Sequence, residues 1–251
     1  VSLKGVSGKM SSSKGKVISL VDALEVYQPE VLRYIFAVNK VDHEFAISFD
    51  LDVIAVYEAY DKAERIAWGV EQAKSEQIFN QTARVYELSQ IEEKKPDVMP
   101  YQIAFRMLTT LLQIYSGDID KVIASLGDVK PEQVECLKRR CECAWYWVNN
   151  CAPDEFKFAL REDGSKAEIA EPLLTAVKRV RDEVVPKVGT FATDKDCQQA
   201  MYDIATEMGL ESKSLFAELY HALINKDQGP RLANFMKIIG KEKLQKILSV
   251  Y

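Results

Sequence analysis

No apolar run in this chain approaches the roughly 18 residues that a membrane-spanning helix needs, and no secretory hydrophobic stretch is present. Nothing in it points to export or to a membrane span. Excess positive charge is also missing: 33 Lys and Arg stand against 38 Asp and Glu, a net charge of −5. A nucleic-acid partner would therefore have to meet a local basic patch, since the protein as a whole is not basic. Cysteine is sparse and odd in number, with five in 251 residues. That fits free thiols in a reducing cytosol and predicts a cytoplasmic protein. Internal repeats and low-complexity tracts are absent. What is present is a 47% hydrophobic composition, which excludes a disordered chain and is ample for one large domain or two to three smaller ones.

Charge of one sign is concentrated at the start. The first sixteen residues hold Lys4, Lys9, Lys14 and Lys16 with no acid, along with Gly5, Gly8, Gly15 and five serines. A loop of this chemistry presents ammonium groups, hydroxyls and backbone N–H groups to an anion, best of all a polyphosphate. It is not a P-loop of the form GxxxxGK[ST], because Leu3 and Met10 stand where Gly and Ser or Thr are required. The residues alone leave a Ser/Lys/Gly linker as the other reading.

Beyond the loop the periodicities are helical. Val17 to Leu20 is read as a short extended segment, Asp22 as a cap, and Pro29 as the first turn of a helix through Phe36. From Asp42 to Arg65 seven acids face Lys62 and Arg65. They predict a solvated helix start rather than a metal or acid–base pair, since Asp50 and Asp52 merely alternate. Helices are then predicted over 66–88, from Pro100 to a stop at Gly117, over 118–126, from Pro131 through Asn149, over about 166–185, from Asp194 to Met208, and twice more before Tyr251. Cys136, Cys141, Cys143 and Cys151 lack zinc-knuckle spacing, and about 100° per residue separates Cys141 from the Cys136 and Cys143 face. Core packing is expected of them and no metal. Lys178, Arg179 and Arg181, balanced by Asp182 and Glu183, read as a solvated face.

Lys9-Met10-Ser11-Ser12-Ser13 resembles the KMSKS-type signature of class I aminoacyl-tRNA synthetases in a KMSSS form. Followed by Lys-Gly, by Pro29-Glu30-Val31-Leu32-Arg33-Tyr34 and by the Phe49-Asp50-Leu51-Asp52 to Tyr60-Asp61 segment, it resembles the class I lysyl-tRNA synthetases. The stretch Leu219 to Ile224, with Lys226, Gly229-Pro230-Arg231-Leu232 and Ile238-Ile239-Gly240, resembles the end of lysyl- and glutamyl-type enzymes. The resemblance implies a mainly α fold. A helical bundle forming the anticodon-binding α-helix cage would follow a small α/β stem-contact region. It implies an activation loop at 1–16, a stem-contact fold at 17–95, and anticodon-binding helices at 96–188 and 189–251.

The resemblance further implies that Lys9, assisted by Ser11, Ser12, Ser13 and Lys14, acts on the pyrophosphate of ATP. Ser12 stands where the family usually has lysine. Tyr220, Lys226, Arg231 and Lys237 are the candidate RNA contacts. Partners would be tRNA(Lys), with ATP, its Mg and lysine meeting the chain only in the full enzyme. His43 and His221 lie outside any HIGH-type motif, so this portion alone is expected not to charge tRNA. A helical protein-interaction module and the same region of a glutamyl-type synthetase are the alternatives.

Overall fold

The computed structural model describes residues 2–4, 19–40, 43–92 and 96–251. It is mainly α, as the sequence predicts. Two compact units divide the chain, Val1–Lys157 and Phe158–Tyr251. The segment limits expected near 95 and 188 lie within them.

In the first unit, strands β1 (Ser2–Leu3) and β2 (Ala46–Ile47) pair in parallel. Helix α1 (Leu20–Val26) begins one residue beyond Ser19, which makes a reciprocal capping box with Asp22. Leu20 is therefore helical rather than extended, and Ser19 rather than Asp22 is the cap. Helix α2 (Pro29–Val38) opens on Pro29, whose missing N–H is harmless there. The single helix expected over 66–88 is two, α3 (Asp52–Ala67) and α4 (Glu76–Ser89). Gly69 ends the first at φ +72°, a backbone that side-chain-bearing residues disfavour, and the Ser75 hydroxyl accepts from Ile78 N–H to start the second. Helix α5 (Phe105–Ile114) starts five residues later than expected from Pro100. Residues 100–104 form no regular element, and two of them are held by distant partners: Gln102 Nε2 donates to Asp61 O at 2.9 Å, and Ile103 O accepts from Arg140 at 3.2 Å. Helices α6 (Ile119–Ser125) and α7 (Val134–Asn150) complete the unit.

Aromatic rings form the spine of this core. Tyr57 stacks on Phe105 at 4.1 Å between centroids, Phe105 meets Trp147 edge-on at 5.7 Å, and Trp147 meets Phe156 at 5.0 Å. Leu137, Cys141, Ala144 and Val148 bury one stripe of α7 at spacings of three and four, as its periodicity predicts. Burial pushes the Cys141 thiol up to about 12 and the Cys143 thiol to about 11, so both stay protonated at neutral pH. Cys136 departs from the expected core packing. It is exposed, and its carbonyl accepts from Gln28 at 3.3 Å. Among the described residues no group of three or more His, Cys, Asp or Glu could hold a metal ion, and no helix is long and apolar enough to cross a membrane.

The second unit is built from α8 (Leu173–Arg179), extended by a π turn (Val180–Val184) and a 3-10 turn (Val185–Lys187), then α9 (Asp194–Glu207), α10 (Ser212–Ile224), α11 (Leu232–Ile239) and α12 (Lys241–Leu248). The helix expected from about Lys166 starts only after Pro172, which has no N–H to give and disfavours helix at Glu171. Thr193, not Asp194, caps α9, in a box with Asp196. The core holds Met201, Leu215, Leu219, Leu223, Phe235, Leu244 and Leu248, with Phe158 edge-on to Phe235 at 5.2 Å.

Candidate nucleic-acid interface

Lys9, Ser11, Ser12, Ser13 and Lys14 fall in the stretch 5–18, outside the described residues. Tyr220, Lys226 and Arg231 lie on or beside the turn between α10 and α11, Lys237 lies in the last turn of α11 (Leu232–Ile239), and the structure assigns them unequal surroundings.

That turn is braced from three sides. Helix α10 ends on Asn225 in the left-handed conformation at φ 56°, and Asn225 Oδ1 accepts from Arg161 Nη2 at 2.5 Å. Arg161 also donates its backbone N–H to Leu223 O at 2.9 Å. The Tyr220 hydroxyl donates to Pro230 O at 2.5 Å, across Gly229. A Cβ at Gly229 would stand 2.9 Å from Ile224 Cδ1 and 3.0 Å from Tyr220 Cε1, so a side chain there would have to displace Ile224 and the Tyr220 ring for the turn to close. Tyr220 is thus half-buried and its hydroxyl is committed to the turn.

His221 forms the third brace, with Nε2 2.7 Å from Asp227 Oδ1 and Nδ1 3.2 Å from Glu218 Oε2. The Asp227 contact, then that with Glu218, holds its pKa above the ordinary value of 6.5 against the opposing pull of partial burial. Protonation is therefore favoured in the folded turn. The stabilising contribution is full below the unfolded value and is lost as pH rises through the higher folded one. An NMR titration of the imidazole should give a midpoint above 6.5 that drops in Asp227→Asn. An unchanged midpoint would remove this brace from the account.

Arg231 is exposed at the start of α11, and no ion pair to it occurs among the described residues. Its flat guanidinium can pair with a phosphate or stack on a base. Lys237 is exposed on α11 with its ammonium 3.8 Å from Asp194 Oδ1, so part of its charge is already answered. Lys226 is half-buried within the turn. On α8 and its extension Arg179 pairs with Glu183 at 2.6 Å and Glu207 at 2.8 Å, and Arg181 pairs with Asp182 at 2.7 Å. That face is charge-compensated as its composition predicts, but Lys178, Arg179 and Arg181 are half-buried rather than fully solvated.

The first unit carries a cleft of about 1170 Å³ among α2, α3, α4 and the start of α7, with Arg33, Arg84 and Arg139 on its walls beside Glu30, Glu87 and Glu135. Opposite charges interleave there, which gives no uniform attraction for a polyanion. Arg140 and Glu64 line it, and both belong to a buried polar cluster that sequence reasoning missed. Arg140 and Asp61, both buried, form a two-pronged pair, Nη1 to Oδ1 at 2.8 Å and Nη2 to Oδ2 at 2.6 Å. The guanidinium also lies over the Tyr57 ring at 4.9 Å. Buried Glu64 accepts from Tyr86 at 2.8 Å and Gln102 at 2.7 Å, and burial raises its pKa against those two bonds. The acidic segment is therefore exposed at Glu44, Asp50, Asp52 and Glu58 but buried at Asp61 and Glu64.

Comparison with known proteins agrees with the order of these elements. Residues 1–92 match the family described as tRNA synthetases class I (K). The whole chain aligns at 49% identity with the lysine–tRNA ligase of Treponema pallidum, covering 100% of this chain and 47% of that protein. The matches support a C-terminal portion of a class I lysyl-tRNA synthetase. The lysine–tRNA ligase of Borreliella burgdorferi is 43% identical over 100% of this chain and 48% of its own length. That of Thermococcus kodakarensis is 35% identical over 96% and 47%. The chain spans about half the length of the curated relatives it matches. In lysyl-tRNA synthetase terms, the family match takes in the loop and α1 to α4, and the remaining helices are joined to it by the full-length alignments.

Proposed function

We propose that this chain is the tRNA-binding part of a lysine–tRNA ligase, and that it lends the Lys9 loop to ATP-dependent lysine activation in the full-length enzyme. The observation that carries the reading is the alignment of the entire chain with lysine–tRNA ligases at up to 49% identity, which begins at the lysine-rich loop and runs through the last helix. In activation the lysine carboxylate attacks the α-phosphate of ATP and pyrophosphate leaves. Negative charge builds on the leaving group, and ammonium and N–H donors placed there lower the barrier. Lys9 takes that role, with Ser11 to Ser13 and Lys14 beside it and Mg entering with ATP as substrate.

Residues 17–95 would meet the tRNA stem, and 96–188 and 189–251 would hold the anticodon. Arg231 is the best-exposed cation of the α10–α11 turn, with Lys226 in the same turn and Lys237 in the last turn of α11. Tyr220 supports them by bracing the turn that carries them. Gel shift of this chain with lysine tRNA, set against a copy with an altered anticodon, tests the reading. Preferential binding of the unaltered tRNA supports it, and indifference to the anticodon would count against it.

A further inference from the structure

We propose that Arg161 is a phosphate contact for RNA held at the α10–α11 turn, a guanidinium aimed by two neutral groups and paired with no carboxylate. This rests on the reading above that the chain binds tRNA, and it adds a cation that lies outside the helices of the second unit.

Arg161 stands in a segment, 157–172, with no helix or strand, yet its place is fixed. Phe158 packs edge-on to Phe235, the Arg161 backbone N–H bonds Leu223 O, Glu162 pairs with Lys243 at 2.9 Å, and Ala167 N–H donates to the Tyr251 hydroxyl at 2.7 Å. Every anchor lies on or just beyond α10, α11 or α12.

The side chain is aimed as firmly as the backbone. Nη1 donates to Ser165 Oγ at 2.9 Å and Nη2 to Asn225 Oδ1 at 2.5 Å, both at the surface. Neutral acceptors orient the fork without cancelling its charge. Asn225 directly precedes Lys226, so the guanidinium joins the turn that carries the other candidate contacts.

The acids beside it are engaged elsewhere. Glu162 is paired with Lys243, Asp227 lies against His221, and Asp163 accepts from the Ser165 backbone N–H at 3.0 Å. The bonds from Ser165 come first among the causes that hold the Asp163 carboxyl below its usual range, and the charge of Arg161 comes last.

Two guanidiniums have a buried Nε without a partner among the described residues, Arg140 and Arg161. Arg140 is answered by the Asp61 carboxylate, and Arg161 has no such counterpart. A fixed guanidinium with an unmatched donor and no counter-ion is completed by an anion. Of its five N–H groups, two bond Ser165 and Asn225 and Nε is enclosed, which leaves one on each Nη. Those two match two oxygens of one phosphate. Such a contact positions an RNA strand without reading its sequence.

The test is equilibrium binding of this chain to lysine tRNA across a range of salt, with Arg161→Gln, Arg161→Lys and Asn225→Gly. Arg161→Gln should bind about tenfold more weakly at low salt. Its plot of log affinity against log salt should be shallower by about 0.7–0.9, the share of one phosphate, with the anticodon preference kept. Arg161→Lys keeps the charge and should keep the slope. Asn225→Gly keeps the cation and suits the left-handed backbone, and it should keep the slope as well. A parental slope in Arg161→Gln would overturn the inference even if affinity fell, because Arg161 would then be a brace and nothing more. Equal flattening in Asn225→Gly would also overturn it, by assigning the lost contact to the turn. In the parental protein the Arg161 Nε–H resonance should shift when the RNA is added, and an unmoved resonance would overturn the inference whether or not the variants fold. Each of these failures leaves the functional reading standing. A parental chain that binds no tRNA would overturn both together.

Discussion

Asp61→Ala is expected to cost the first unit about 3–5 kcal/mol of stability, because it strands a buried guanidinium without its counter-charge. The side chains of Asp61 and Arg140 are 6% and 5% exposed, and the carboxylate takes both prongs of the fork. What remains after the substitution is Ile103 O at 3.2 Å, the Tyr57 face and the through-space attraction of Glu64, whose burial favours its neutral form, and these do not replace the lost negative charge. The double variant Asp61→Leu/Arg140→Met removes both charges and should recover most of the loss, since a buried pair exchanged for apolar groups is often neutral or better. Urea unfolding followed by tryptophan fluorescence reads this directly, because Trp68, Trp145 and Trp147 all lie in the first unit. A single-variant loss below about 1 kcal/mol, the scale of a solvent-exposed pair, would show that the pair is not buried as described.

Lys9→Ala in the full-length enzyme should lower the kcat of ATP–pyrophosphate exchange by about 10²–10³-fold, the scale of removing one donor from a developing negative charge. Its tRNA affinity should stay within twofold or so, because a single loop lysine is one of many phosphate-facing groups. This split is what distinguishes an activation lysine from a general RNA contact. By the resemblance to the KMSKS-type signature, Ser12 stands at the place of its second lysine, so Lys14→Ala asks whether the neighbouring ammonium takes that part. A Lys9→Ala enzyme with parental exchange would remove the loop from the chemistry. One with normal exchange and weakened tRNA binding would reassign it to RNA.

Local patterns carried most of the architecture. Pro29, the α7 stripe and the stop at Gly117 are read correctly because each expresses a short-range rule of backbone or periodicity. The misreadings share another cause. Residues 100–104 look helical by composition, yet Asp61, Glu64 and Arg140 claim the groups of Gln102 and Ile103 from far along the chain. Periodicity carries no signal for such a claim. The Asp61–Arg140 pair, 79 residues apart, was hidden for the same reason. The His221 brace was closer to hand, since Glu218 and Asp227 flank it in sequence. The loop was legible as an anion-seeking stretch by residue type alone, and its family assignment came from motif order rather than from spacing or charge.

The most direct test of the central claim is an equilibrium titration of this chain with lysine tRNA and with an anticodon-altered copy, repeated across a range of salt. The account predicts binding that weakens as salt rises, as counterion release requires, and an affinity for the altered copy at least about tenfold lower, the scale of losing one or two base contacts. Equal affinity for the two RNAs, or no binding at low salt, would contradict it.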